Sequence, residues 1–566
     1  RRVANRNNLN LTFDAHGSWE RNLTPAVSSQ FVTGLQVYSS TTKRNYGTGT
    51  NFPGPGIDVA GAGELQTVNE SFLATRQMGV FGQEQLGFKE YLFATVGGRY
   101  DKHSAFGENA GGAFYPKVSL SFVPSDVPGW RGFGPVSSLR LRSALGRSGL
   151  QPGAFDKFTT FTPLASSSGP GLAPSNLGNP DLKPEVSTEL EAGSEIGFWS
   201  DRAGIDFTYW HRTVDNVLIA RQFEMSGGFR NPQLDNIGQM KAWGLELNGK
   251  ALVINRPNLQ LNLNANAAFL RERITDLGGA PPIKVDYVRY RIYLGEGYAP
   301  GSFFGPKVPG ACSARPAGKT YTCLNEGEAP LDTNGDGKPD TKDQLLAYLA
   351  KPRSGDDVGR GVLAAMDDQA DNIPGFYLGK NTPDWSGSFG GDLRVHKRWA
   401  INALFTYKFG NYYVHNLTYG FRRSSWRNIA ESVRNEAVLL NPASTPEQRY
   451  DAAVEFATKL KALSPLDGLN EIEKADYLRF QELGLSYDVP ASFLGRFGAR
   501  SMTLSVKGRN LALFTGYSGV DPEANVVGLT EATTTTNQVS NNFLSGIDGW
   551  TLPLPRRVSF SARIGF

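Results

Sequence analysis

The sequence predicts an all-β fold, a transmembrane antiparallel β-barrel, on three observations. Its strands run about 10–14 residues with one apolar and one polar face, longer than the roughly 5–6 residues usual in soluble sheets. Short connectors between them alternate with long ones. The last strand, RRVSFSARIGF, keeps its alternation to the terminal aromatic residue. Val558, Phe560, Ala562, Ile564 and Phe566 share one face, while Arg557, Ser559, Ser561, Arg563 and Gly565 share the other.

From the N-terminus, Leu9, Leu11, Phe13 and Ala15 alternate with polar residues. Leu259, Leu261, Leu263, Ala265, Ala267 and Phe269 oppose Gln260, Asn262, Asn264 and Asn266, so one face suits hydrocarbon and the other water. Trp385, Phe389, Leu393 and Val395 repeat the pattern opposite Ser386, Ser388, Asp392 and Arg394. Trp399, Ile401, Ala403, Phe405, Tyr407 and Phe409 repeat it again. Fifteen strands are expected near 8–19, 25–38, 71–86, 89–100, 114–124, 137–147, 185–198, 204–215, 240–253, 259–270, 384–396, 399–410, 475–489, 500–511 and 556–566. Alternation is poorest near 71–100 and 475–489. Trp19, Tyr38, Trp199, Trp385, Trp399 and Tyr487 are expected in interfacial aromatic girdles.

Short connectors at Gly87–Lys89, Ser200–Ala203, Asn255–Asn258 and Lys397–Arg398 are expected to alternate strictly with long ones near 39–70, 148–184, 271–383, 411–474 and 512–555. Bacterial barrels have short periplasmic turns and long extracellular loops, which places Phe566 on the periplasmic side. Single-chain bacterial barrels close with an even strand number. An odd number of strands is therefore expected before Arg1, and residues 1–566 read as the C-terminal part of one larger barrel.

Composition agrees. Lys+Arg 58 against Asp+Glu 54 leaves a net charge of +4, too small for a polyanion-binding surface, so nucleic acid is not an expected partner. Gly 65, Phe 34, Tyr 21 and Trp 9 describe turns, strands and aromatics. No stretch approaches the roughly 18 apolar residues of a membrane helix, and RRVANRNN lacks the apolar segment of a signal peptide.

Four further motifs are NPDLKPE at Asn179–Glu185, GSFFG at Gly301–Gly305, YLRFQELGLSY at Tyr477–Tyr487 and GRNLALFTGYSGVDPE at Gly508–Glu523. With the closing strand, and in this order, they resemble the barrel of SusC/RagA-type TonB-dependent outer-membrane transporters across roughly residues 170–566. The resemblance implies a barrel of about 22 strands in the outer membrane of a Gram-negative-type bacterium. It also implies an upstream plug domain, a TonB box that engages the TonB complex, and a SusD-like surface lipoprotein that helps capture oligosaccharides or peptides. Neither plug nor TonB box occurs in these residues. A passive porin and a calcium-stabilised β-rich surface adhesin are the alternatives.

DTNGDGKPDTKD at Asp332–Asp343 sets Asp332, Asn334, Asp336, Asp340 and Asp343 at positions 1, 3, 5, 9 and 12 of an EF-hand-type loop, with Gly337 at the turn and Lys338 offering its carbonyl. Ca²⁺ is the candidate ion, in a structural role. The short Asp343 and Pro339 depart from the motif, and a polar loop of Asx turns is the other reading. Leu345, Leu346 and Leu349 are expected to begin a helix after it. Cys312 and Cys323 are expected to form a loop disulfide in an oxidising compartment, against two free thiols.

No catalytic residues and no organic cofactor are expected. His16, His103, His211, His396 and His415 are scattered, with no HExxH pair and no nucleophile–base arrangement. Glu189, Glu191 and Glu195 share one strand face and read as a solvated lumen wall. Arg140 and Arg142 face the lumen, towards plug or substrate. Trp426, Tyr412 and Tyr413 are candidates either to stack on sugar rings or to pack within loops.

Overall fold

The computed structural model describes residues 1–57, 59–166, 169–221, 223–285, 290–367, 373, 375–424, 429–463, 471–495, 498–526 and 544–566. One fifteen-stranded sheet dominates. Its strands are β1 (Arg2–Thr24), β2 (Val27–Thr50), β3 (Leu65–Phe88), β4 (Leu92–His103), β5 (Ala113–Phe122), β6 (Val136–Leu150), β7 (Glu185–Phe198) and β8 (Ala203–Arg221). They continue as β9 (Gln233–Arg256), β10 (Leu259–Asp276), β11 (Trp385–Val395), β12 (Trp399–Phe409), β13 (Tyr477–Asp488), β14 (Ser501–Thr515) and β15 (Arg557–Gly565). The strand order in the sheet is the order in the chain. All fifteen expected strands are present.

The chain divides into two compact units. In the first, which holds Arg1–Asp201 and Asp206–Lys241, β1, β2 and β3 span 23, 24 and 24 residues. A tilted strand crosses hydrocarbon in about 9–11 residues, so these strands extend well beyond a membrane. The expected long connector near 39–70 is therefore corrected. Pairing runs unbroken from Val27↔Phe88 to Thr50↔Leu65, leaving only 51–64 as loop. Residues beyond Tyr38 lose apolar alternation because both faces meet water there, while the backbone ladder continues. Tyr38 accordingly lies mid-strand, not at a strand end. Strict alternation of connector length also fails, since 104–112 is shorter than the 123–135 connector that follows it. Loop 151–184 carries its own hairpin, Thr160–Ser166 against Gly169–Asn176.

Several short turns use left-handed residues without glycine. Lys89 and Glu90 have φ 48° and 63°, and Trp199, Ser200 and Asp201 have φ 52°, 56° and 61°. Consecutive positive φ values give a turn whose twist matches that of the flanking strands.

The second unit holds the described residues from Ala242 on, with Arg202–Ile205. Across its apolar face, Phe389 stacks on Phe405 at 5.1 Å and Phe405 on Phe480 at 4.5 Å. Trp243, Phe269 and Trp385 form a second row, with centroids 5.2 and 4.9 Å apart. Broken alternation near 475–489 has a local cause. Phe405 pairs with Phe480 but Leu404 pairs with Glu482, so Gln481 is an extra residue in β13. The bulge changes parity, and Phe480, Leu483 and Leu485 all reach the apolar face.

Loop 411–474, expected only as a long connector, is largely helical: α3 (Leu417–Ser424), α4 (Ala430–Leu440) and α5 (Pro446–Leu463). The preceding loop adds α1 (Lys342–Tyr348), the helix expected after the acidic motif, and α2 (Gly355–Arg360). Capping boxes at Thr341/Gln344 and Ser354/Asp357 start these two. Leu331, Leu345, Leu349, Val358, Leu439 and Ala453 form their shared core. Buried Arg449 donates to the carbonyls of Leu349 and Ala350 beyond α1 and of Asn441 and Pro442 beyond α4, satisfying helix ends that hydrophobic packing leaves open. No helix among the described residues is long and apolar enough to cross a membrane, which says nothing of strands.

Candidate functional site

The polar face of the first unit is a wall of compensated charge. Arg142 pairs with Glu195 at 2.9 Å and with Asp206 at 2.8 Å, and Arg140 reaches Glu195 at 3.4 Å. Arg212 pairs with Glu189. Arg99 binds Asp101 at 2.7 Å and donates to Gln36, which in turn donates to Asp14 at 2.8 Å. Strand register brings these residues together, since Arg140 and Glu195 lie directly opposite in β6 and β7. Arg140 and Arg142 are thus partnered within the wall itself.

NPDLKPE anchors its own loop to the 104–112 connector and to the start of β9. Leu182 is fully buried, and its carbonyl accepts the Gly107 amide at 2.8 Å while that of Pro180 accepts the Asn109 amide at 3.1 Å. A Cβ at Gly107 would lie 2.1 Å from the Pro180 oxygen, so only glycine permits this approach. Asn179 donates to Asp235, and Asn236 both accepts from the Lys183 amide and donates to its carbonyl. Asp181 and Lys183 remain exposed, as their charge requires. In the same loop, burial pushes the Asp156 carboxyl above its ordinary range, opposed by the Gly153 amide that donates to it at 2.7 Å.

In the second unit the YLRF and VDPE motifs meet. Arg479, 3% exposed, donates to both oxygens of Asp521 at 3.1 and 2.7 Å and to Glu523 at 3.2 Å. Lys408 also pairs with Glu523, at 2.9 Å. This planar two-point pairing fixes the loop after β14 onto β13. Beside it, Tyr413–Asn416 is the middle of a three-stranded sheet, antiparallel to Ile472–Lys474 and parallel to Ile547–Asp548. Glu473 accepts the amide and hydroxyl of Ser518 at 2.8 and 2.6 Å. The Tyr517 hydroxyl donates to Asp548 at 2.9 Å. Burial is the main cause that raises the Asp548 carboxyl above its ordinary value, and burial likewise holds the Tyr517 and Tyr412 phenols protonated.

Tyr412 is 3% exposed, within the core formed with Val414, Ala475, Tyr477 and Tyr517. Its ring packs and is not available for stacking on a sugar. Trp426 lies outside the described residues. Cys312 and Cys323 are joined to each other, with Cα atoms 4.9 Å apart. GSFFG forms a buried strand, Ser302–Gly305, paired with Phe376–Lys380.

In the acidic loop, the carboxylate of Asp332 accepts the amides of Gly335, Asp336 and Gly337, and Asp336 accepts that of Lys338. Asn334 accepts the Asp336 amide. Asp340, 2% exposed, takes two bonds from Thr333 on one oxygen, and its other oxygen is buried without a partner. Asp343 lies in the first turn of α1. Among the described residues, no three His, Cys, Asp or Glu side chains converge as a metal site.

Residues 1–344 match the family described as TonB dependent receptor-like, beta-barrel. The chain belongs to this family. TonB-dependent receptor P3 of Formosa agariphila is 24% identical over 468 residues, covering 80% of this chain and 42% of the relative. TonB-dependent receptor P26 of the same organism is 23% identical over 498 residues, covering 86% and 46%. The chain thus spans less than half the length of these relatives. Among solved structures, a chain of the RagAB peptide transporter superposes over all of this chain and 56% of that one, with a TM-score of 0.74 at 17% identity. The RagAB importer in its closed-closed state gives the same TM-score at 18% identity. The fold is therefore of the SusC/RagA type.

In this TonB-dependent receptor barrel, the NPDLKPE, YLRF and VDPE motifs prove to be loop anchors. Sequence reasoning located them but missed what they hold. A lone arginine in a strand, followed in the next motif by two carboxylates two residues apart, was the signal for the Arg479 clamp. Nothing local marks Asp548, whose partner arrives from the other side of the loop.

Proposed function

We propose that the protein containing this barrel imports nutrients across the outer membrane, energised through the TonB complex, and that it is a transporter and not an enzyme. Its match over residues 1–344 to the TonB-dependent receptor barrel family carries this reading. Oligosaccharides or peptides are the proposed cargo, captured with a SusD-like lipoprotein; likeness to the RagAB fold supports that partnership. The anchored loops suit such a docking role, because a rigid extracellular rim loses less entropy on binding a partner. Uptake of labelled peptide and oligosaccharide pools, measured in strains carrying the full-length gene with and without TonB, tests this. Uptake that vanishes without TonB is expected. Equal uptake in both strains favours a passive porin.

We infer a structural Ca²⁺ ion for the loop Asp332–Asp343. Its donors are hard oxygens at suitable spacing, and the buried, unpartnered oxygen of Asp340 favours an ion. The amide bonds to Asp332 and Asp336 count against it. The measurement is protease resistance of the α1 region with Ca²⁺ and with chelator: Ca²⁺-dependent protection, lost in Asp340→Asn, is expected, and equal cleavage in both conditions refutes the ion.

A further inference from the structure

The acidic loop Asp332–Asp343 is framed at both ends by the helical unit. At one end, the Asp332 amide donates at 2.6 Å to the carbonyl of Gly361, the residue that closes α2. A Cβ at Gly361 would lie 2.7 Å from the Asp332 carbonyl oxygen, so the two backbones are in close contact. At the other end, the Asp340 amide donates to the Leu331 carbonyl at 2.6 Å, and the Asp340 carbonyl accepts the Ala329 amide at 2.9 Å. Thr341, the next residue, caps α1. Asp332 and Asp340 thus sit on backbone that ends one helix and starts another. An ion that fixes the distance between these carboxylates fixes α1 against α2.

These two helices in turn hold α4 and α5, which belong to the next long loop. Arg449 of α5 joins the carbonyls beyond α1 to those beyond α4. The Arg353 amide donates to the Leu439 carbonyl of α4 at 3.2 Å, and Glu436 of α4 accepts the Gly355 amide that opens α2 at 3.3 Å. Lys342 of α1 lies 5.5 Å from the centre of the Tyr450 ring of α5. Ala329 and Leu331, on the approach to the acidic loop, are 1% and 0% exposed in the same core as Leu439 and Ala453. No apolar boundary therefore separates the loop from α4 and α5. α4 has 11 residues and no side-chain cap at its start, short of the roughly 12–15 residues at which an isolated helix becomes even marginal. Its order depends on this packing, and segments that share core and hydrogen bonds open as one unit.

We propose that Ca²⁺ held by Asp332–Asp343 is an effector for α4 and α5, ordering the loop 411–474 together with its own. The proposal rests on the Ca²⁺ reading of the acidic loop. An ion bound only by the folded unit stabilises every element that must open to release it, by a factor of one plus the ratio of free Ca²⁺ to its dissociation constant. Two long loops then stiffen together when Ca²⁺ is plentiful and loosen together when it is scarce.

Hydrogen exchange of the full-length protein in mild detergent, read by mass spectrometry across a Ca²⁺ titration and in chelator, tests this. Exchange in α1, α4 and α5 is expected to slow together with one half-saturation point, by about 100-fold when free Ca²⁺ is about 100 times its dissociation constant. β10 should not respond. Asp340→Asn should remove the response from all three helices. Linkage is reciprocal, so Arg449→Met, which loosens α4 and α5, should raise the Ca²⁺ needed to protect α1 by at least about fivefold. Protection of α1 without change in α4 and α5, or an unshifted half-saturation point in Arg449→Met, overturns the coupling and leaves the ion in place. If Arg449→Met does not fold, the response of α4 and α5 in the parent decides alone. Absence of any Ca²⁺ response in α1 refutes the ion itself and the coupling with it, which separates that failure from failure of the coupling alone.

Discussion

Arg479 holds Asp521 where water barely reaches, so its removal leaves that carboxylate buried without compensation. Breaking such a pair from one side costs about 3–5 kcal/mol. Arg479→Met is expected to release the loop after β14, seen as faster proteolysis within residues 516–526, and Arg479→Met with Asp521→Asn should recover part of the loss. Unchanged cleavage in the single variant would argue that the clamp is incidental. Asp548 behaves in the opposite sense. Its carboxyl is raised above the ordinary value by burial, so its contribution is fully present below the unfolded pKa and is lost as pH rises through the folded one. Strand Ile547–Asp548 should be best protected from hydrogen exchange, after correction for intrinsic rates, in acid. Protection should fall as pH climbs past the usual aspartate range, and Asp548→Asn should abolish that dependence. A pH-independent parent would refute it. Asp548 was not legible as a partner from sequence, because folding alone brings it to Tyr517, whereas the Arg479 clamp left its signal in two successive motifs. The Cys312 and Cys323 pairing was legible, because the chain contains two cysteines close together.

Elements were easiest to read where lipid imposes a sharp contrast between faces. β10, β11 and β12 announce themselves by alternation, since one face must be apolar. The upper halves of β2 and β3 do not, because hydrogen bonding alone sustains them in water, and polar residues such as Thr41, Lys43 and Asn45 look like loop. α4 and α5 were hidden for a related reason. They pack on α1 and α2 from a distant loop, so half of their core lies outside their own sequence window. The disulfide belongs at this scale, closing the connector between Ser302–Gly305 and α1. Alkylation of unreduced protein is expected to leave its mass unchanged, with two additions after reduction. Labelling of both cysteines without reduction would show them free.

For the whole molecule, strand order followed chain order because each strand's neighbours were fixed by connectors too short, or loops too well anchored, to permit a crossover. That regularity made the architecture readable from periodicity and connector lengths, while the site chemistry stayed obscure because polar-face residues gain meaning only from their register partners. The extra residue at Gln481 is a phase boundary within β13. In a strictly alternating strand, Arg479 and Leu483, Leu485 and Tyr487 would all face the same way. One inserted residue makes the strand two segments of opposite phase, the upper committed to the loop clamp and the lower to the lipid belt. Substitutions can therefore retune the upper segment without rotating a single side chain in the segment below. Deleting Gln481 would couple the two again and force one of them to turn inside out.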